Sequence, residues 1–384
     1  MTVGKLAVGS TIGGRRRLSL FCDDLEGGGV QRMTVNLANH LVAEAFEVDL
    51  LLARNEGPFQ SLLDPRVNVV DLGSKRVLFS ILSVMRYLRR RRPEGMLCAV
   101  TGVNVAGVVA RILSRTKTRI VISERNHLST ASQNALGWRK RVLLPILARL
   151  FYGRADAVVG ISNGVTDDLV DFIGLRRDLL TTIHNPVVTP DMGHLLQAEV
   201  SHPWLCQERQ PVLVTSGRLI PQKDYPTLLK AFRDVRERRP CRLLVLGDGQ
   251  DRAKLEGLAK HLGIDDDVDF LGFVAQPLAY MAKCDLFVLA SAWEGFGNVL
   301  VEALYCGLPV VATNCPSGPA EILQHGSYGR LTPVGDVDAL AAAISAQIEE
   351  PVDPRRQRRR SLDFSVQIIC DQYLRLLLGE PQSQ

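Results

Sequence analysis

Short apolar runs alternate with longer amphipathic stretches along the chain. Residues 18–22, 48–52, 96–100, 119–123, 157–161 and 181–183 are compact and mostly apolar, and each reads as a buried strand. The stretch 30–43 places Met33, Val35, Leu37, Ala38 and Leu41 on a helical repeat, and 103–113 reads the same way. Near-continuous apolar strands separated by helices predict a mostly parallel sheet covered on both faces. The rhythm stops between Asn185 and Pro211, where Pro186, Pro190, Pro203 and Pro211 fall among polar residues, as in an interdomain linker. It then restarts with strands at 212–215, 243–246, 268–271, 286–289 and 310–313 and helices at 225–238 and 251–262. A final helix is expected over 361–378, after the basic run 355–360. The expectation is two similar α/β domains, 15–190 and 211–360, joined by a linker at 191–210. Residues 361–384 are expected to form a helix and tail.

Composition narrows the function classes. Of 384 residues, 46% are hydrophobic and 23% charged, which excludes a disordered or collagenous chain. No apolar run is long enough to span a bilayer. The opening 14 residues lack the basic start and apolar core of a secretory signal. Eight cysteines form no C-x-x-C pair, and most sit among apolar residues, so reduced, buried thiols in a cytoplasmic protein are expected. The net charge of +5 is unevenly spread. Residues 1–200 carry 26 Lys+Arg against 18 Asp+Glu, and the remainder 20 against 23. A basic first half suggests an anionic partner: a membrane surface, a phosphate-bearing substrate or nucleic acid.

Ligands of open α/β sheets bind beyond the carboxyl ends of the strands. After the strand at 212–215 come Gly217, which allows close backbone approach, and the cations Arg218 and Lys223. Arginine can hold two phosphate oxygens at once and lysine acts as a point charge. Gly247-Asp248-Gly249 follows another strand and is either a phosphate cradle or a tight turn with Asp251 as helix cap. After 286–289, Glu294 closes a loop, and Gly295 and Gly297 free the backbone. A helix then opens near Asn298, where unpaired N–H groups favour phosphate. Glu302 lies in that otherwise apolar helix, and a charge there needs either a ligand or a cationic partner.

These residues fall in a recognisable series. S-G-R-L-I-P-Q-K-D (216–224), G-D-G (247–249), V-D-F-L-G-F-V (268–274), E-G-F-G-N-V-L-V-E-A (294–303), G-L-P-V-V-A-T (307–313) and G-P-A-E-I-L (318–323) occur in order. Residues 212–340 resemble the donor-binding domain of the retaining glycosyltransferases of family 4, which have the GT-B fold. A weaker match in the first half runs through 28–32, 161–165 and 183–187.

The resemblance implies two Rossmann-like domains around a cleft with the C-terminal helix, in 361–384, crossing back to pack on the first domain, a nucleotide-sugar donor, and no metal or other cofactor. Arg218 and Lys223 would bind the donor diphosphate. Glu302 would hold the ribose hydroxyls and Glu294 the sugar hydroxyls. Backbone N–H groups of Phe296, Gly297 and Asn298 would contact sugar and phosphate, while Phe273 and Val274 would lie against the base. Gly28 and Gly29 would bring the first domain close to the phosphates. The family's histidine, which commonly follows the strand corresponding to 119–123, comes a few residues late here, so His127 or Arg125 fills that place. Gln31 also stands where the family often has glutamate. The segment 316–319 is similar to members that use N-acetylhexosamine donors.

Three other readings compete. A dinucleotide oxidoreductase lacks G-x-G-x-x-G after a strand. A nucleotide-sugar epimerase shares the two-domain plan and is separated only by whether label reaches an acceptor. A nucleic-acid-binding protein would draw on the basic half and the run 355–360, but only 6% of residues are aromatic and no binding motif is present. Two amphipathic basic segments, 75–92 and 138–152, suggest instead an anionic bilayer surface. The expected enzyme is therefore cytoplasmic and peripheral, taking a lipid-linked or oligosaccharide acceptor at the membrane.

Overall fold

The computed structural model describes residues 16–134, 137, 139–205 and 210–380. Its first sheet holds seven parallel strands: β1 (Arg17–Cys22), β2 (Glu47–Leu52), β3 (Asn68–Asp71), β4 (Gly95–Ala99), β5 (Arg119–Glu124), β6 (Ala157–Gly160) and β7 (Leu180–Thr182). They lie in the order β3-β2-β1-β4-β5-β6-β7. The second sheet holds β8 (Val212–Ser216), β9 (Arg242–Leu246), β10 (Val268–Gly272), β11 (Leu286–Leu289), β12 (Val310–Thr313) and β13 (Arg330–Thr332), in the order β10-β9-β8-β11-β12-β13. These are two Rossmann-like units of the GT-B architecture.

Both faces of each sheet are covered, which is why the strands read as apolar runs. Leu18 and Leu20 enter one core with the helix Gly29–Ala43, while Phe21 points to the opposite core under the helices Ile81–Arg91 and Thr101–Ser114. Two edge strands were absent from the sequence reading. In β3 every residue is at least partly exposed, and in β13 only Thr332 is buried, so neither carries an apolar run.

The final helix differs from expectation. Instead of one helix over 361–378, the helix Pro354–Ser361 packs on the second domain, and Val366–Leu378 crosses back to the first. Between them, a single 3-10 turn, Leu362–Phe364, places the Phe364 carbonyl where it accepts from the N–H groups of Val187 and Val188. The N–H of Val366 donates back to Val188. The two passages of chain between the sheets are thus bonded side by side. Beyond them, Ile369, Cys370, Tyr373 and Leu377 fill the core on the first sheet, and the Arg119 Nε donates to the Leu376 carbonyl at 2.6 Å.

The basic run is spent internally. Arg356, Arg358 and Arg360 donate to the carbonyls of Ser327, Tyr305 and Ile322. The seven described cysteines are free thiols, all buried except the half-buried Cys306, while Cys206 lies outside the described residues. Among the described residues no helix is long and apolar enough to cross a membrane.

Candidate active site

In each sheet the strand order reverses beside the first strand, between β1 and β4 and between β8 and β11, and such points form crevices at the strand carboxyl ends. The loops after β8 and β11 are joined there. Lys223 Nζ lies 2.5 Å from Glu294 Oε1, and Ser291 Oγ donates to the same oxygen at 2.7 Å. Gln222 bonds the Trp293 carbonyl from its side chain and accepts from the Ala292 N–H on its backbone. Arg218 is exposed, and its side chain has no partner among the described residues. Tyr225 pins this loop by donating to the Gly217 carbonyl at 3.0 Å.

Gly247-Asp248-Gly249 supports that loop. A Cβ at Gly247 would fall 2.0 Å from the Gly217 carbonyl oxygen, so the glycine is required by backbone packing. Asp251 makes no side-chain cap for the helix Arg252–His261, contrary to expectation.

The helix Asn298–Cys306 opens at Gly297, whose φ of 95° is left-handed, and no side chain caps it. The Phe296 ring is buried, 5.2 Å from the His184 ring in a stacked arrangement, so only its backbone is available to a ligand. Glu302 sits at the wall of a cavity of about 440 Å³ that Arg32, Asn36, Gln276 and Asn298 also line. Its carboxyl makes no hydrogen bond among the described residues. Desolvation holds it above the usual carboxylate range, opposed by the charges of Arg32 and Lys223. Phe273 is 82% exposed beyond β10, while Val274 packs partly on the second core.

The first domain meets this constellation directly. Gly28, at φ 126°, starts the helix Gly29–Ala43, and a Cβ on Gly29 would lie 3.1 Å from Asn298 Nδ2. Asn185 Nδ2 donates to Asn298 Oδ1 at 2.7 Å, and Ser162 Oγ donates to the Gly295 carbonyl at 2.9 Å. A Cβ on Gly295 would reach within 2.1 Å of the Arg125 carbonyl oxygen. Glu321 of the second domain accepts from the N–H groups of Asn163 (2.9 Å) and Gly164 (3.3 Å), and its Oε2 lies 3.1 Å from His184 Nε2. Burial pushes the Glu321 carboxyl up, but these hydrogen bonds outweigh it and leave the group below its ordinary range.

The two residues after β5 have different fates. Arg125 is buried. It bonds Asn185 and the Tyr373 hydroxyl, tying β5 to the second crossing, and burial lowers its affinity for its proton. His127 stays partly exposed, with Nδ1 3.3 Å from Asp168 and 3.1 Å from the Thr130 hydroxyl. Its Nε2 makes no hydrogen bond among the described residues; the Arg125 Nε also lacks a partner but is buried, so of the two only His127 is partly exposed.

Sequence reasoning assigned no role to Ser162, His184, Asn185 or Glu321, although each lies inside a quoted motif. Their partners in the other domain are more than 100 residues away, and no local spacing signals them.

Comparison with known proteins agrees with this geometry. The family model described as Glycosyl transferases group 1 matches residues 198–362, and that described as Glycosyltransferase Family 4 matches residues 27–190. The chain belongs to the family-4 glycosyltransferases and is a glycosyltransferase. It is 26% identical to a Campylobacter jejuni N-acetylgalactosamine-N,N'-diacetylbacillosaminyl-diphospho-undecaprenol 4-alpha-N-acetylgalactosaminyltransferase over 95% of this chain and 100% of that one. It is 30% identical to the lipopolysaccharide core biosynthesis glycosyltransferase LpsE of Rhizobium meliloti, over 61% of this chain and 67% of that protein. Anabaena HepE, crystallised with UDP and glucose, superposes with a TM-score of 0.77 at 24% identity, over 95% of this chain and 100% of that chain.

Proposed function

We propose that the enzyme transfers a hexosyl or N-acetylhexosaminyl group from a UDP-sugar to a lipid-linked or glycan acceptor, with retention of the anomeric configuration. One observation carries the reading. Lys223 of the β8 loop is paired with the buried Glu294, and its charge acts on Glu302 in the uncapped helix, so these groups gather beyond the carboxyl ends of β8 and β11. In the reaction the bond from the anomeric carbon to the diphosphate oxygen breaks, and the bond to the acceptor oxygen forms on the same face. The acceptor proton passes to the leaving diphosphate. Arg218 and Lys223 take up the charge that grows there, where one lost donor typically costs about 10²–10³ in rate. Glu294 would hold sugar hydroxyls once donor phosphate draws Lys223 away. Glu302 would take the ribose, and Gly28 and Gly29 with the N–H groups of Phe296, Gly297 and Asn298 would lie along the diphosphate. His127 would face the sugar from the first domain. No metal is required for this arrangement of charges.

The UDP in the HepE crystals and the diphospho-undecaprenol in the name of the Campylobacter relative support the donor and acceptor classes. The same relative makes an α-linked product, which is the retained configuration when the donor is α-linked. A membrane-held acceptor also fits the first domain's surface. Val142, Ile146 and Leu150 form an exposed stripe at successive turns, with Phe79 and Leu82 exposed on the preceding amphipathic segment. Arg86, Arg89, Arg90, Arg141 and Arg149 are exposed on the same two segments, a composition suited to an anionic bilayer. Of the expected segment 138–152, Trp138 lies outside the described residues.

A panel of labelled nucleotide sugars, incubated with polyprenyl-diphosphate-linked glycans and resolved by mass spectrometry, tests the proposal. NMR of the product gives its anomeric configuration. Label that stays on the nucleotide, or an inverted product, refutes it.

A further inference from the structure

A second cavity, of about 960 Å³, lies at the opposite end of the first sheet from the cleft, under the amino ends of β4 and β5. Arg89, Arg92, Arg115, Lys117 and Arg119 line it. None of the five has a carboxylate partner among the described residues. The two carboxylates on its wall are already engaged: Glu94 binds Arg16 at 2.7 Å, and Asp156 binds Arg111 at 3.2 Å. Three of the cations serve helix ends in part. Arg89 bonds the carbonyls of Leu113 and Ser114, Arg92 that of Arg89, and Arg119 that of Leu376. The side chains of Arg115 and Lys117 bond nothing among the described residues. Concave, low-dielectric walls focus such a field and reinforce it.

Backbone conformation sharpens the point. The helices Ile81–Arg91 and Thr101–Ser114 end on Arg92 and Arg115, both left-handed, at φ 46° and 54°. Glycine or asparagine usually takes that position, because an L-residue with a long side chain adopts it at a cost. Here both positions carry arginine, and both line the same cavity. Backbone strain of this kind, beside converging cations without carboxylate partners, makes the cavity a candidate binding site.

We propose that this cavity is a binding site for a multivalent phosphate anion, carrying two or more phosphate groups, separate from the donor site. A single phosphate would leave most of the five cations and most of the volume unmet. The chemistry is shared by soluble polyphosphates and by clustered phospholipid headgroups.

Isothermal titration of the full chain with tripolyphosphate, and sedimentation with phosphatidylglycerol–phosphatidylcholine vesicles, distinguish the two sources. Replacing Arg115→Gln and Lys117→Gln together should weaken binding by about tenfold or more, the loss of two charge-assisted contacts. The KM for the nucleotide-sugar donor should be unchanged in that variant, since it reports the separate site in the cleft. Arg115→Gly should raise the melting temperature while weakening the anion, a pairing that a purely structural arginine would not give. Loss of tripolyphosphate binding identifies a soluble anion, and loss confined to vesicles identifies a headgroup. Equal affinity in wild type and variant, or no binding to either probe, overturns the proposal.

Discussion

Lys223 and Arg218 lie on one loop, yet their replacement should have separable consequences. Lys223 is the ion-pair partner of Glu294, with side chains 16% and 8% exposed. Lys223→Ala leaves that carboxylate in a buried position with only the Ser291 hydroxyl. Breaking a buried pair by removing one partner costs about 3–5 kcal/mol, and the lower figure suits a crevice that water can enter. For a domain of this size each kcal/mol shifts Tm by about 2–4 °C, so Lys223→Ala should melt about 6–12 °C below wild type. Arg218 is exposed and unbonded, and Arg218→Ala should stay within about 0.5 kcal/mol of wild type. Under the proposed role at the departing diphosphate, both should lose about 10²-fold or more in turnover. The assay is a circular-dichroism melt without ligand beside initial-rate kinetics. Adding Glu294→Gln to Lys223→Ala should recover much of the lost stability, since the orphaned charge is then gone. Equal melting of the two single variants would refute the ion pair as a stabilising contact.

Glu302→Gln should leave the unliganded protein as stable as wild type or more so, since a desolvated carboxyl is removed. Protection by UDP in a thermal shift should fall, from about 2.7 kcal/mol at a hundredfold excess over Kd in wild type. Equal protection in both proteins would remove Glu302 from the nucleotide site. Glu321→Gln should raise donor KM by weakening the clamp between the domains, and should flatten the acid side of the stability profile. The folded-state carboxyl titrates below its ordinary 4.5, so its contribution is complete above that pH and fades as pH falls through the lowered value. Melting curves at stepwise lower pH read this directly, and parallel profiles would count against it. Ile146→Glu with Leu150→Glu should reduce sedimentation with anionic vesicles while leaving turnover of a water-soluble acceptor analogue intact, and undiminished sedimentation would exclude that stripe.

Much of this was legible in the chain. Strands such as β2 and β8 are buried on both faces, and burial writes itself as unbroken apolar runs. Arg218, Lys223, Glu294 and Glu302 stood out because a charge at a strand end, or inside an apolar helix, demands a partner. The edge strands β3 and β13 left no such trace, having one neighbour each and exposed side chains. The break near Ser365 carries neither glycine nor proline, since tertiary bonds to Val187 and Val188 end the helix there. Choosing between Arg125 and His127 needed the position of Asn185 and Tyr373, distant partners that draw the arginine inward. Glu321 was visible as part of a motif but mute about its role, because its partners belong to the other domain.

The returning helix Val366–Leu378 also sets an order of events during synthesis. Its Ile369, Cys370, Tyr373 and Leu377 complete a core whose other residues, among them Leu18, Leu20 and Leu50, were made more than 300 residues earlier. The second unit, by contrast, has nearly all its parts once residue 364 has emerged. During synthesis the later domain can therefore be finished first, while the earlier one keeps an apolar face uncovered until Val366–Leu378 has been made. Deletion of Val366–Leu378, far from the cleft in sequence, should consequently produce a protein that chaperones retain, with an intact second domain and an unfinished first one.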